Sequence, residues 1–287
     1  MDGGLCKSYR GGRLKVAAIG GKTACGSKDG DARKALHAVG AWCSPDRLCL
    51  GQVATGEKSN GTAAIPELLR ILASEAALAT ADAVGCRKEI APAVRARKAH
   101  YPLAVKGNQE RPHDGVAGRA AGAFEAEYAG FESELFETPE SGHGRKEYRR
   151  ARVFSDLSGI RGRKLWPDLA CFVVVATDRT VQGKGVSETR YCLRSRRPAA
   201  AEAEALEAAR AHWGAEDNLH WVPDAAFGGD ANRVRKGHGR ENLNAFRKLA
   251  LVAIAGADDE HSLSVRRKMA GWDEEYLIDL VLNSTEI

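Results

Sequence analysis

Hydrophobic and polar positions along the first part of the chain predict short buried strands separated by turns. The segments Lys15–Ile19, His37–Trp42 and Leu48–Ala54 are apolar runs bounded by turn-forming residues, and we predict a strand in each. The first strand is expected to end in a turn at Gly20-Gly21, where two glycines interrupt the apolar run. These three segments together predict an antiparallel meander.

The periodicity then changes to that of a helix and back again. Leu68, Leu69 and Leu72 share one face of a predicted helix over Ala64–Ala73, and Leu78–Asp82 follows as a predicted strand. The series continues with a helix over Ile90–Lys98 and a strand over Tyr101–Lys106. Antiparallel strands followed by alternating helices and strands indicate an α/β fold, with a mixed sheet flanked by helices. This succession is the core pattern of the ribonuclease-H-like fold.

The region from residue 107 to residue 198 has a different character, and we interpret it as a β-rich insertion before the closing helix of the core. No helix is predicted directly after Tyr101–Lys106, although Arg119–Ala129 has a helical composition. The strands predicted in this region are Arg149–Phe154, Ala170–Thr177 and Ser187–Leu193, the last two joined by a hairpin.

The closing helix is expected over Ala199–Val222, and two further helices are predicted over Asn242–Ala255 and Glu274–Leu282. The chain is therefore divided as follows. Residues 1–14 form a short N-terminal tail, and residues 15–106 form the first part of the core. Residues 107–198 form the insertion, and residues 199–287 form the closing helix and the C-terminal helices.

Charge and cysteine content narrow the classes of function. The net charge of the 287-residue chain is +5, and arginines concentrate in several short stretches. These stretches are Arg145–Arg152, Arg161–Lys164, Arg194–Arg197 and Arg233–Lys248. Arginine pairs well with phosphate, so a nucleic acid is a candidate partner, although solvated surface charge explains any one cluster equally well.

The seven cysteines include no CxxC pair, which argues against a zinc ribbon and favours reduced thiols in a cytoplasmic protein. No apolar run is long enough to span a membrane, and no membrane partner is expected.

Two acids stand out as candidates for chemistry. Asp82 ends a buried strand and is followed by Gly85, an arrangement that suits a catalytic carboxylate and equally a helix cap. Glu216 lies between His212 and His220 at helical spacing, so the three side chains share one face. That face suits a zinc-dependent hydrolase or ordinary packing. Paired with Asp82, Glu216 instead suits Mg²⁺, which prefers carboxylate oxygens.

The chain resembles the DDE transposases of bacterial insertion sequences, in the branch of H-repeat-associated transposases. The resemblance rests on many short motifs that occur in order from about Lys15 to the C-terminus. These are GKT (Gly21–Thr23), AWCSPDRLCLGQV (Ala41–Val53), EKSN (Glu57–Asn60), AIPELL (Ala64–Leu69), DAVGCRKEIA (Asp82–Ala91), KGNQ (Lys106–Gln109), GHGRKEYR (Gly142–Arg149), HWGAEDNLHWVPD (His212–Asp224), RVRKG (Arg233–Gly237) and AGWDEEYL (Ala270–Leu277).

This resemblance implies a ribonuclease-H-like enzyme that cuts double-stranded DNA at transposon ends and joins the ends to target DNA, using Mg²⁺ or Mn²⁺. Asp82 matches the second catalytic Asp of the family and Glu216 its Glu, and both are implied metal ligands. The first catalytic Asp is expected directly before GKT, where this chain has Gly20. Glycine offers no ligand, so we expect impaired cleavage, with Asp29 or Asp31 as replacements only if their loop folded back.

The remaining motif residues are expected to contact DNA. They are Lys106, Asn108, Gln109, His143, Arg145, His212, Trp213, His220, Arg233, Arg235 and Lys236. A homo-oligomer on DNA and a bacterial, nucleoid-associated location are the further expectations. The alternatives are a catalytically dead relic that binds DNA and, as an outsider, the zinc-dependent hydrolase.

Overall fold

A computed structural model describes most of the chain and divides it into two compact units. The described residues are 16–28, 35–43, 48–55, 61–72, 78–81, 87–107, 109–142, 145–181, 184–197, 227–228, 231 and 233–283. The first unit combines Met1–Ala73 with Ala211–Ile287, and the second is Ser74–Arg210. The division into a core and an insertion at residue 106 stays a prediction.

The sheet of the first unit is an antiparallel meander. Its strands are β1 (Val16–Ala24), β2 (Leu36–Cys43) and β3 (Leu48–Ala54), with β2 in the middle. All three predicted strands are confirmed. The predicted turn at Gly20-Gly21 is wrong, because β1 continues through both glycines and pairs with β2 as far as Ala24↔Leu36. Cross-strand pairing here outweighs the turn preference of glycine.

Helices cover both faces of this sheet. On one face lies α1 (Gly61–Ile71), and a Cβ at Gly51 of β3 would stand 3.4 Å from Leu72 Cδ2 and 3.7 Å from Leu68 Cδ1. On the other face lies α4 (Gly239–Ala255), whose Leu251 forms a buried cluster with Ala18 of β1 and Trp42 of β2. Successive residues of a strand face opposite sides, so each of the three strands contributes apolar side chains to two layers.

Two more helices follow α4, and the carboxylate of Asp259 forms hydrogen bonds to both. They are α5 (Leu263–Trp272), which the sequence does not predict, and α6 (Glu274–Asn283), which it does. Asp259 accepts hydrogen bonds of 2.7 Å from the Tyr276 hydroxyl of α6 and from Arg266 Nε of α5. The Tyr276 hydrogen bond, with those from the His261 amide and Arg266, lowers the pKa of Asp259 to about 2.

The second unit contains a mixed sheet. Its elements are β4 (Leu78–Ala81), α2 (Ile90–Ala96), β5 (Pro102–Val105), α3 (Glu110–Glu125), β6 (Ser133–Gly142), β7 (Arg145–Phe154), β8 (Cys171–Val181) and β9 (Lys184–Arg194). Strand β4 runs parallel to β5, and the order continues β5-β9-β8-β7-β6 with antiparallel neighbours. Strand β9 therefore pairs directly with β5, from Pro102↔Arg194 to Val105↔Tyr191.

Two features of this unit differ from the sequence expectation. A helix does follow β5 at once, since α3 begins at Glu110. Its pattern is obscured by glycines at 115, 118 and 122 and by Pro112, which the first helical turn tolerates. Strand β6 is also unpredicted. It is acidic and contains Pro139, which suits its place at the edge of the sheet next to β7.

The fold is therefore mixed α/β, with a mixed sheet and flanking helices, as predicted in outline. The predicted closing helix over residues 199–222 lies outside the described residues. Within the described ranges, no helix has the length and apolar character needed to cross a bilayer.

The packing of α1 leads to a prediction about stability. Leu68 is 0% exposed and Ile71, three residues later on the same helix, is 58% exposed. Leu68→Ala removes buried methyl groups and leaves a cavity, so we expect a loss of about 2–5 kcal/mol in the free energy of unfolding. Urea unfolding followed by circular dichroism measures this loss. Ile71→Ala is the matched control, and an equal loss there would contradict the assigned face of α1.

Candidate functional site

The first candidate acid, Asp82, follows in the sequence at the sheet edge where the parallel strands β4 and β5 have their carboxyl ends. Strand β4 ends at Ala81, which pairs with Leu103 of β5, and the next residue in the chain is Asp82. Carboxyl ends of parallel strands meet at one edge of a sheet, where α/β proteins commonly bind ligands. Asp82 itself lies outside the described residues.

Two predicted DNA-binding residues follow the neighbouring strand at the same edge. Lys106 comes directly after β5 and is exposed, and its carbonyl accepts a 2.9 Å hydrogen bond from the Gln109 amide. Gln109 is the N-cap residue of α3, and its carbonyl accepts a 3.0 Å bond from the His113 amide. The turn between β5 and α3 therefore presents a cation and the N-terminus of a helix, both of which attract anions.

Most of the other predicted site residues lie outside the described part of the chain. They are Asn108, His143, His212, Trp213, Glu216 and His220, together with the side chain of Arg145. The meeting of Asp82 with Glu216 and the zinc face therefore stay predictions. So do the alternatives Asp29 and Asp31, which also lie outside. Among the residues that are described, no group of three or more His, Cys, Asp or Glu side chains could hold a metal ion.

A second cationic segment belongs to the first unit. Arg233, Arg235 and Lys236 lie in an irregular stretch before α4, and all three are exposed. The DNA contacts expected of these three residues stay predictions.

Gly20 lies inside β1, in a row of residues that crosses the three-stranded sheet. It pairs with Gly40 of β2, which in turn pairs with Gln52 of β3. Directly opposite residues of paired strands face the same side, and here that side is the one covered by α4. Two neighbouring positions of this row therefore carry no side chain, and the third carries an amide.

Gln52 joins this row to α4 through three hydrogen bonds. Its Nε2 donates to the Glu241 carbonyl at 3.1 Å, and its Oε1 accepts from Asn244 Nδ2 and from Lys248 Nζ, both at 2.8 Å. Lys248 is 7% exposed. Burial lowers the pKa of Lys248 below its usual 10.5, and the nearby Cys49 opposes this in part. The structure thus places a buried ammonium beside the row that contains Gly20.

Sequence reasoning singled out neither Gln52 nor Lys248. Lys248 carries a usable signal, because it lies three residues before Leu251 and so falls on the apolar stripe of α4. A lysine in register with core positions is rarely buried without a partner. The partner, Gln52, is distant in sequence, and only the packing of α4 on β3 reveals it.

Comparison with known proteins agrees with the sequence resemblance. The family described as "Transposase DDE domain" matches residues 13–253. The protein named "Putative transposase YncI" of Escherichia coli O157:H7 is 34% identical over 287 residues, covering 95% of this chain and 70% of that protein. "H repeat-associated putative transposase YhhI" and "Putative protein YbfL" of Escherichia coli K12 are each 32% identical over 282 residues, covering 94% of this chain and 72% of each relative.

The burial of Lys248 predicts a pH dependence of stability. Between its lowered pKa in the folded state and its usual 10.5, the unfolded chain binds more protons at this site, so stability rises with pH. We expect the free energy of unfolding of the wild type, relative to that of Lys248→Met, to increase as the pH rises toward 10.5.

Chemical unfolding at a series of pH values measures this difference. Lys268 of α5 is exposed. Lys268→Met therefore removes no burial penalty, and the corresponding difference should stay flat. A flat difference for Lys248→Met as well would contradict a buried ammonium.

Proposed function

The chain belongs to the DDE transposase family, and we propose that it binds DNA through a ribonuclease-H-like core while being impaired in DNA cleavage. The family and the transposase-like function rest on the match over residues 13–253 and on the two transposase-named relatives. The impairment rests on the surroundings of Gly20. A catalytically dead relic that binds DNA is the limiting case of this proposal.

The row Gly20–Gly40–Gln52 is the observation that carries the impairment. The resemblance places the first catalytic carboxylate at position 20, and glycine has no side chain there. The adjacent Gly40 also has no side chain, and Gln52 follows it in the row, with its Oε1 accepting a 2.8 Å hydrogen bond from the Lys248 ammonium. We also propose that the Lys248 ammonium, held by Gln52 of the same row, disfavours a divalent cation there, so that both the missing acid and Lys248 weaken metal binding.

Proteins of this family generally use divalent metal ions, which activate the attacking water or hydroxyl and stabilise the leaving oxygen. Asp82 and Glu216 are the proposed ligands for Mg²⁺ or Mn²⁺ in this chain. The described residues do not fit a complete two-ion site, since position 20 supplies no oxygen. We therefore propose no cleavage step for the wild-type chain.

The proposed role in DNA binding depends on cations at two places in the chain. Lys106 and the N-terminus of α3 present positive charge at the carboxyl end of β5, and Arg233, Arg235 and Lys236 present it before α4. The proposal extends to the other predicted contacts, namely Asn108, Gln109, His143, Arg145, His212, Trp213 and His220. It also includes a homo-oligomer on DNA and a location at the bacterial nucleoid.

A nicking experiment tests the impairment. The substrate is a supercoiled plasmid that carries the sequences flanking the coding region, incubated with Mg²⁺ or Mn²⁺. We expect background nicking from the wild type and roughly 100-fold more from Gly20→Asp/Lys248→Met, because the restored carboxylate then faces no competing ammonium. Gly20→Asp alone should recover less activity, since the Lys248 ammonium still opposes the binding of a divalent cation.

Asp82→Ala in the double variant is the control, and it should return nicking to background. Circular dichroism of each variant shows whether the fold is retained. Metal-dependent nicking by the unmodified chain that disappears in Asp82→Ala would refute the impairment, and the protein would then be an active transposase.

A further inference from the structure

The second unit contains a cleft between α3 and the loop that follows β7. The cleft has a volume of about 600 Å³ and is lined by the N-terminal half of α3 and by loop residues 158–161. Gly118 of α3 and Gly159 of the loop form part of its wall, and a Cβ at Gly118 would meet nothing within 4 Å. Because these two positions have no side chains, the backbone of an extended ligand has room to approach the protein closely in the cleft.

Close backbone contacts and hydrogen bonds hold the loop against the helix. A Cβ at Gly115 would lie 3.1 Å from the Gly159 carbonyl oxygen, so helix and loop are in close contact. Asp156 accepts hydrogen bonds from the Ser158 amide and hydroxyl at 2.8 and 3.0 Å, and it pairs with Arg119 of α3. Arg119 is therefore already engaged in holding the cleft together, which leaves the other arginines of the cleft for a ligand.

Two arginines of the cleft, Arg111 and Arg161, are exposed and form no ion pair with any described residue. The same holds for Arg163 and Lys164, which follow Arg161 in a short 3₁₀ turn at the end of the loop. Many other arginines of this unit are paired with acids. The paired residues are Arg95, Arg119, Arg149, Arg150, Arg179, Arg190 and Arg197.

The cleft also lies next to the candidate site of this unit. Helix α3 begins directly after the turn at Lys106, at the edge where β4 and β5 both end. Glu110 and Arg111 in the first turn of α3 are at the near end of the cleft. Glu110 and Asp114 also line the cleft, and they repel phosphate from their own part of its wall. Arg111, Arg161 and the two glycines form the part of the wall that an anionic strand can approach.

We propose that this cleft binds the phosphate backbone of double-stranded DNA, with Arg111 and Arg161 as the phosphate ligands and Arg163 and Lys164 extending the contact along the loop. The proposal rests on the proposed function, since it assigns a further part of the same substrate to this surface. Arginine suits phosphate because its planar guanidinium forms two parallel hydrogen bonds. The contact is independent of base sequence, because phosphates position DNA and do not specify it.

The experiment places a charge inside the cleft without changing its surroundings. Gly118→Glu adds a carboxylate where a Cβ meets no atom, and glutamate favours a helix more than glycine does. Fluorescence anisotropy with a labelled duplex, in EDTA so that no cleavage occurs, measures affinity over a salt series. We expect roughly tenfold weaker binding for Gly118→Glu and for Arg111→Gln/Arg161→Gln. In the arginine variant, the slope of log affinity against log salt should fall by about 0.9 for each phosphate that is no longer neutralised.

Three matched variants separate the cleft from general effects of charge and shape. Gly118→Gln has the shape of the glutamate variant without its charge, and it should bind nearly as well as the wild type. Gly122→Glu places the same charge on the same helix at a position that does not line the cleft, where a Cβ also meets nothing within 4 Å. Arg267→Gln/Lys268→Gln removes two exposed cations from α5 of the first unit.

Equal weakening of binding in Gly118→Glu and Gly122→Glu would overturn the proposal, as would unchanged binding in Arg111→Gln/Arg161→Gln. A wild type that does not bind duplex DNA would overturn it as well. Because the measurement requires neither metal nor cleavage, its outcome is separate from that of the nicking experiment.

Discussion

Strand β5 must be hydrogen-bonded along both of its edges, and much of the second unit follows from this requirement. The strand is short and largely buried, and buried backbone amides and carbonyls need partners. One edge pairs with β4 and the other with β9, about ninety residues later in the chain. Pro102, which has no amide hydrogen, stands at the first position of β5, where a sheet tolerates proline. Beside it, Tyr101 and Ser195 exchange hydrogen bonds of 3.0 and 3.1 Å that continue the pairing.

This pairing determines where charged residues meet. The segment between β5 and β9 leaves through α3 and returns as an antiparallel sheet, so the first turn of α3 lies at the carboxyl end of the parallel pair. The loop after β7 contacts the same helix at Gly115, and Arg111 and Arg161, which form no ion pair with the residues that the structure describes, line one cleft. The segment predicted as an insertion is thus hydrogen-bonded to β5 through β9, and its helix α3 begins near the edge at which Asp82 is expected.

In the first unit, the decisive interaction is between Gln52 and Lys248. A buried ammonium is costly unless it is hydrogen-bonded, and Gln52 Oε1 supplies that bond at 2.8 Å. The glycines at 20 and 40 lie in the same row of the sheet and carry no side chains. The absence of an acid at position 20 and the presence of a buried lysine nearby are therefore mutually consistent.

Several elements and the family could be predicted from the sequence alone, because their signals are local. The apolar runs of β1, β2 and β3 and the leucines of α1 are short-range patterns, and the motifs of the transposase family are contiguous. The elements that were not predicted from the sequence share one cause. Strand β6, with its acids and Pro139, is stable only because β7 lies beside it. Helix α3 contains Pro112 and three glycines, and the Gly20-Gly21 segment becomes a strand through its pairing with β2. In each case, contacts distant in sequence outweigh local preference.

The same distinction between local sequence and distant contacts applies to the candidate sites. The sequence by itself determined which residue types are available, including Asp82, the glycine at position 20 and the arginine clusters, and it determined the family. Only the tertiary structure decided that Lys248 binds Gln52 in the row of residues that contains Gly20, and that Arg111 and Arg161 line one cleft while seven other arginines of this unit pair with acids. The physical reason is that the charge state and accessibility of a side chain depend on which groups surround it, and those groups come from strands and helices far apart in the chain.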